Sequence, residues 1–116
     1  LTEWVKPSSA LIDQGAYSDG YCFAAAWKNL SISTVVGTPV TGTCSYAGWE
    51  TMQSGDIRAG TPRLGIHGPK GKYLEHQTDH PDVLIYADPN EMVKGRDVQL
   101  EKAVKVMLKE LEPTKK

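Results

Sequence analysis

The stretch from Ser9 to Gly37, SALIDQGAYSDGYCFAAAWKNLSISTVVG, sets the topology of the 116-residue chain. Ser9–Asp13 is a short apolar run introduced by Pro7 and closed by Gly15, the pattern of a buried strand. Ser18 or Asp19 then caps a helix running to about Leu30. Phe23, Trp27 and Leu30 recur at i, i+4 and i+7, and Ala24–Ala26 allow that face to pack closely. Ser33–Gly37 is a second apolar strand, ended by Thr38-Pro39. Strand, helix and strand in this order predict a crossover with two parallel strands in one sheet and the helix on its face.

Outward from this unit the texture changes. Residues 41–82 are rich in glycine and turn formers, with candidate strands near Ser45–Ser54, Asp56–Thr61, Arg63–His67 and Lys72–Leu74. Gly68-Pro69-Lys70-Gly71 has the composition of a hairpin turn. Val83–Tyr86 is a further apolar strand, and Asp88-Pro89-Asn90 breaks the chain after it. The last element is a helix. Leu100, Val104, Met107, Leu108 and Leu111 form a stripe of helical period, read as core packing unless a partner supplies the opposing surface. Asp97 stands at its start, Glu101 pairs with Lys105, and Pro113 ends it.

Composition narrows the function classes. Apolar types make up 40% and charged types 23%, as in an ordinary globular domain. Thirteen basic against fourteen acidic side chains give a formal charge of −1, which argues against a general nucleic-acid binder. No run approaches the roughly 18 to 20 apolar residues of a membrane-spanning helix, and Leu1–Lys6 does not resemble a signal peptide. The chain opens without an initiator Met, so it reads as part of a longer protein. Cys22 and Cys44 fit neither a CxxC metal spacing nor a dense disulfide framework, and this reading favours free or buried thiols over a single bridge.

The segment Gly15-Ala16-Tyr17-Ser18-Asp19-Gly20 carries the most chemistry. A serine between a buried strand and a helix has its hydroxyl at the positive end of the helix dipole, with backbone N–H groups able to receive a developing oxyanion. The spacing is not GxSxG, since the glycine lies three residues before the serine. Locally, a plain N-cap explains Ser18 more simply. Asp13 could orient a base, although a strand-end carboxylate is more often just solvated. His76 and His80 with Asp79 and Asp82 suggest a metal site, but Pro81 works against a helix through them, and a solvated loop explains them better. Gly68–Lys72 fails as a phosphate loop because Ile66 and Tyr73 occupy the required glycine and hydroxyl positions. Asn29-Leu30-Ser31 reads as an accidental glycosylation sequon.

Taken in series, these segments resemble the C-terminal half of the catalytic domain of the tail-specific (C-terminal-processing) serine peptidases, in their tricorn-like branch. The resemblance is carried by Ala10–Asp13, Ala16–Gly20, Trp27–Leu30, Val35–Pro39 and Thr41–Thr43. It continues through Gly71–Glu75, His80–Val83, Asp88-Pro89 and Lys94–Val104. It reverses the reading of Ser18, which becomes the expected nucleophile, with the N–H of Asp19 as one oxyanion donor. Thr43 stands where the C-terminal-processing subgroup places a general-base lysine, and a threonine cannot serve as that base. The tricorn arrangement is therefore implied, in which a histidine is the base, a second serine contacts it and a glutamate supports that serine. Glu75, in Leu74-Glu75-His76, matches the glutamate, with His76 replacing the usual Asn.

The fold implied is α/β: a ClpP/crotonase-like layer, here a partial domain over residues 1–116. It combines a strand-helix-strand core, a small irregular β excursion from about 41 to 82 and a C-terminal helix. The activity implied is peptide-bond hydrolysis through an acyl-enzyme, near C-termini or in oligopeptides, with no cofactor and no metal. The base histidine is expected in an N-terminal half of the same enzyme, since His67, His76 and His80 fall in the wrong segments. The chain alone is then expected to be inactive. A peptide or protein substrate and that N-terminal half are the expected partners, homo-oligomers are compatible, and the reading leans towards a bacterial cell envelope or periplasm. Two competitors are a catalytically silent peptide-binding relative, using the strand edge near the serine turn, and a crotonase-like small-molecule domain.

Overall fold

The computed structural model describes residues 4–112. β1 (Ala10–Ile12), α1 (Asp19–Asn29) and β2 (Val35–Gly37) form the expected crossover unit, and β1 and β2 pair in parallel with Ala10 opposite Val35 and Ile12 opposite Gly37. β3 (Ser45–Thr51) and β4 (Arg58–Gly65) make a separate antiparallel hairpin. β5 (Val83–Leu84) returns to the first sheet, parallel to β2, giving the order β1-β2-β5. α2 (Pro89–Val93) and α3 (Val98–Leu111) complete the chain. The architecture is α/β, as the sequence predicts; the irregular β excursion expected from about 41 to 82 is in part an ordered antiparallel hairpin, whose turn lies between Thr51 and Arg58.

The core lies between α1 and the parallel sheet. Ala10, Ile12, Tyr21, Ala24, Ala25, Val35, Val40 and Cys44 cluster there, with Trp27, Ile66 and Leu74 packed against them. The inner face of α1 differs from the expected one. Tyr21, Ala24 and Ala25 are buried, whereas Phe23 and Leu30 are exposed and Phe23 leans on Trp27 with ring centroids 5.1 Å apart. The small alanines let the helix axis approach the sheet, and that approach selects the alanine stripe over the aromatic one. Gly37 has φ 143°, and a Cβ there would sit 1.7 Å from the Ile12 carbonyl oxygen, so the end of β2 tolerates only glycine.

Several boundaries move. The strands expected at Asp56–Thr61 and Arg63–His67 are one strand, β4, running through Pro62. Pro62 lacks an N–H, and it pairs with Ala47 beside an irregularity in the register at Tyr46/Ala47, where a missing donor is tolerated. Lys72–Leu74 forms no strand, only a bridge between Tyr73 and His67. The breaker at Asp88–Asn90 instead opens the short helix α2: Asp88 Oδ1 accepts the Asn90 N–H at 2.9 Å, and Pro89 occupies the first turn, where its missing donor is harmless. Asp97 caps α3 as expected, accepting from the Leu100 N–H at 2.9 Å. Of the α3 stripe, Leu100, Val104, Leu108 and Leu111 are exposed and Met107 is half-buried, so the stripe is not core packing here; the one buried residue of α3 is Ala103, outside the stripe. Pro113 lies outside the described residues.

The expectation of two free thiols is overturned. Cys22 and Cys44 form a disulfide, with Cα atoms 5.5 Å apart. Their separation of 22 residues along the chain gives no hint of this, since α1 and the approach to β3 meet only through tertiary packing. No helix among the described residues is long and apolar enough to cross a membrane.

Candidate active site

Ser18 occupies the junction that the sequence picks out, immediately before α1 and after the turn that follows β1. It does not behave as a plain N-cap. Its φ of 53° and ψ of −110° lie in a region that a side chain rarely adopts, and its hydroxyl makes no capping hydrogen bond. Such a conformation costs on the order of 1–3 kcal/mol and persists only where surrounding contacts hold it. Here the Ser18 N–H donates to Thr43 Oγ1 at 3.0 Å, and the Ser18 carbonyl accepts from the Cys22 N–H at 3.0 Å. Asp19 is the first residue of α1, so its N–H has no acceptor within the helix and sits at the positive end of the dipole. Asp13 does not reach towards Ser18; its Oδ1 accepts the Gly15 N–H at 2.8 Å and closes the turn after β1.

Glu75 is brought to the same place by a set of cross-ties. Its Oε2 accepts the Cys44 N–H at 2.9 Å, one residue beyond the threonine that holds Ser18. The preceding carbonyl, of Leu74, accepts from the Tyr21 hydroxyl at 3.0 Å. The following residue, His76, has φ 60° and donates its N–H to the Gly42 carbonyl at 3.0 Å. Gly42 is needed for this approach, because a Cβ there would lie 2.0 Å from the Gln77 carbonyl oxygen. The disulfide from Cys44 to Cys22 adds a covalent tie to α1. The Tyr21 hydroxyl is pushed above its ordinary pKa by burial, and the charges of Asp79 and Glu75 push it the same way.

Ser18, Thr43, Glu75 and His76 open together on a cavity of about 540 Å³. The β3–β4 hairpin forms its opposite wall through Ser45, Ala47 and Trp49 of β3 and Gly60 and Pro62 of β4. Sequence reasoning sets all three histidines aside, yet the structure places His76 on this cavity, carried there by its neighbour Glu75. His67 is elsewhere, packed on Tyr73 with ring centroids 4.0 Å apart and the rings tilted at 47°, and the His80 carbonyl accepts from Lys28 Nζ. Among the described residues no three His, Cys, Asp or Glu side chains are grouped so as to hold a metal ion. Tyr21 and Cys44 are site-forming residues that the sequence reading missed, and Thr43, which it placed at the site only as the residue standing where a lysine base would be, holds the Ser18 N–H.

Comparison with known proteins bears on the fold and the family of the chain. A tricorn-like protease C-terminal subunit named from Sulfurisphaera tokodaii is 26% identical over 104 residues, covering 89% of this chain and 12% of the relative. The crystal structure of the tricorn protease superposes with a TM-score of 0.79 at 23% identity, over 89% of this chain and 10% of that one. A structure described as a peptidase from Parabacteroides merdae gives a TM-score of 0.72 at 21% identity, over 92% of this chain and 33% of that one. These superpositions establish the fold, a partial domain of the tricorn type, and the chain spans about one eighth of the sequence relative it matches. The family model described as peptidase family S41 matches residues 1–85, most of the chain and all of the site just described, so the chain belongs to peptidase family S41.

Proposed function

We propose that this chain carries the nucleophile and a supporting acid of a serine peptidase that cleaves peptide bonds near C-termini or in oligopeptides. The observation that carries the reading is Ser18, held at φ 53° on a strand-to-helix junction with its hydroxyl uncommitted to capping and open to the Glu75 cavity. In this reading Ser18 Oγ attacks the scissile carbonyl carbon while its proton passes to a base. The oxyanion accepts from the Asp19 N–H, the base returns the proton to the leaving amine, the C–N bond breaks, and water then hydrolyses the ester. Thr43 supports the geometry of Ser18 and takes no proton. The base is a histidine from a segment outside this chain, held by a second serine that Glu75 supports.

A fluorophosphonate probe on the full-length protein tests the reading, because only an activated hydroxyl reacts. Labelling at Ser18, lost in Ser18→Ala together with peptide turnover, is expected. Turnover that survives Ser18→Ala, or full-length protein that neither labels nor cleaves, overturns it and favours a silent peptide-binding relative. Residues 1–116 expressed alone are expected not to turn over unstructured peptides.

A further inference from the structure

We propose that Trp49 determines which peptides this site accepts, by receiving an aromatic or bulky aliphatic side chain four residues along the bound peptide from the one lying at Ser45. The proposal rests on the reading of the site as a peptidase and adds a selecting residue to it. On β3 the residues Ser45, Ala47 and Trp49 alternate onto one face, and their cross-strand neighbours on β4 include Gly60 and Pro62. That face is the cavity wall opposite Ser18 and Glu75. Its side chains are small near Thr43, which holds Ser18, and become large only at Trp49. A peptide laid along it meets little until it reaches the indole.

The indole is presented, not buried. It is 62% exposed. Gly60 lies directly opposite it in the register, and a Cβ on Gly60 would meet three ring carbons at 3.0–3.1 Å, so the ring lies close over bare backbone. The Arg58 guanidinium carbon stands 5.6 Å from the ring centroid and steadies it further. A large aromatic surface fixed in orientation and left open on a cavity is suited to stacking against a partner side chain. Covering a strand glycine with an aromatic ring would alone stabilise the hairpin, but it does not require the ring to line the cavity of Ser18.

Spacing fixes which substrate residue is read. Ser45 to Trp49 is four residues of β strand, roughly 13 Å at about 3.3 Å per residue. An extended peptide has the same rise and the same two-residue alternation of side chains. The residue four positions from one lying at Ser45 therefore points at Trp49.

The test uses the full-length protein as Ser18→Ala, so that binding is read without turnover. The probe is a series of alanine- and serine-based peptides carrying one Phe moved position by position, with affinity followed by calorimetry and by the Trp49 indole N–H resonance. Phe at one position is expected to bind about tenfold more tightly than at the others, to shift the Trp49 resonance, and to lose that advantage in Trp49→Ala. Gly60→Ala, whose new methyl displaces the ring, is expected to weaken the same preference and serves if Trp49→Ala proves poorly folded. A flat series, or a preference that survives both substitutions, overturns the proposal. A preference that depends on Trp49 in a protein whose wild type cleaves nothing supports Trp49 as the selecting residue and overturns the peptidase reading alone.

Discussion

Cys44 holds Glu75 and α1 at once: its N–H donates to the Glu75 carboxylate at 2.9 Å, and its sulfur is bonded to Cys22 on the helix that Ser18 precedes. The segment bearing the candidate acid and the segment bearing the candidate nucleophile are thus fixed by one residue. Three experimental consequences follow from that linkage and from the tyrosine beneath it.

Replacing Glu75 by Ala leaves the Cys44 N–H without its acceptor in a half-buried setting. The expected loss is about 1–3 kcal/mol of unfolding free energy, measured by urea titration. Glu75→Gln keeps an acceptor oxygen while removing the charge. It is expected to retain most of the stability and to lower kcat of the full-length protein. Equal stability in all three proteins would place the Glu75 carboxylate out of reach of Cys44.

Opening the disulfide releases a constraint on a loop of 22 residues. The chain-entropy relation gives about 3 kcal/mol for a loop of that length, or a Tm lower by on the order of 10 °C. Thermal unfolding with and without dithiothreitol, and of Cys22→Ala/Cys44→Ala, measures it. A Tm indifferent to reductant, with two titratable thiols in the native protein, would show that the cysteines are not joined.

Tyr21 gives stability a dependence on alkaline pH. Burial, then the charges of Asp79 and Glu75, raise its folded pKa above the ordinary value of 10.0. Between the unfolded and folded values the native state holds one more proton than the unfolded state, so stability falls as pH rises. The contribution is complete below pH 10 and disappears as pH passes through the folded value. Urea midpoints from pH 8 to 11 are expected to fall more steeply for the wild type than for Tyr21→Phe. Parallel curves would remove Tyr21 as the source.

The sequence carried the topology of the sheet because its information is local there. Apolar runs at 10–12 and 35–37 flank a helix with clear start signals, and a crossover admits essentially one pairing. Ser18 was legible for the same reason, since strand, turn and helix are adjacent in the chain. The inner face of α1 was not legible: periodicity ranks Phe23 and Leu30 above Ala24 and Ala25, whereas packing distance ranks them the other way. The disulfide and the tie from Cys44 to Glu75 join positions 22 and 31 residues apart, and no period or motif encodes an approach set by the whole fold. The helix at Pro89–Val93 was hidden because Asp-Pro-Asn serves equally as a breaker and as a cap.

No residue between Ser45 and Gly65 is buried, so the hairpin contributes nothing to the interior that stabilises the rest of the chain. Exchanges at such positions typically move stability by less than about 0.5 kcal/mol. The arm is therefore free to drift, while Gly37, Gly42 and the residues locked around Ser18 are not. A scaffold divided in this way can acquire new preferences by surface mutation alone, with its foldability left intact.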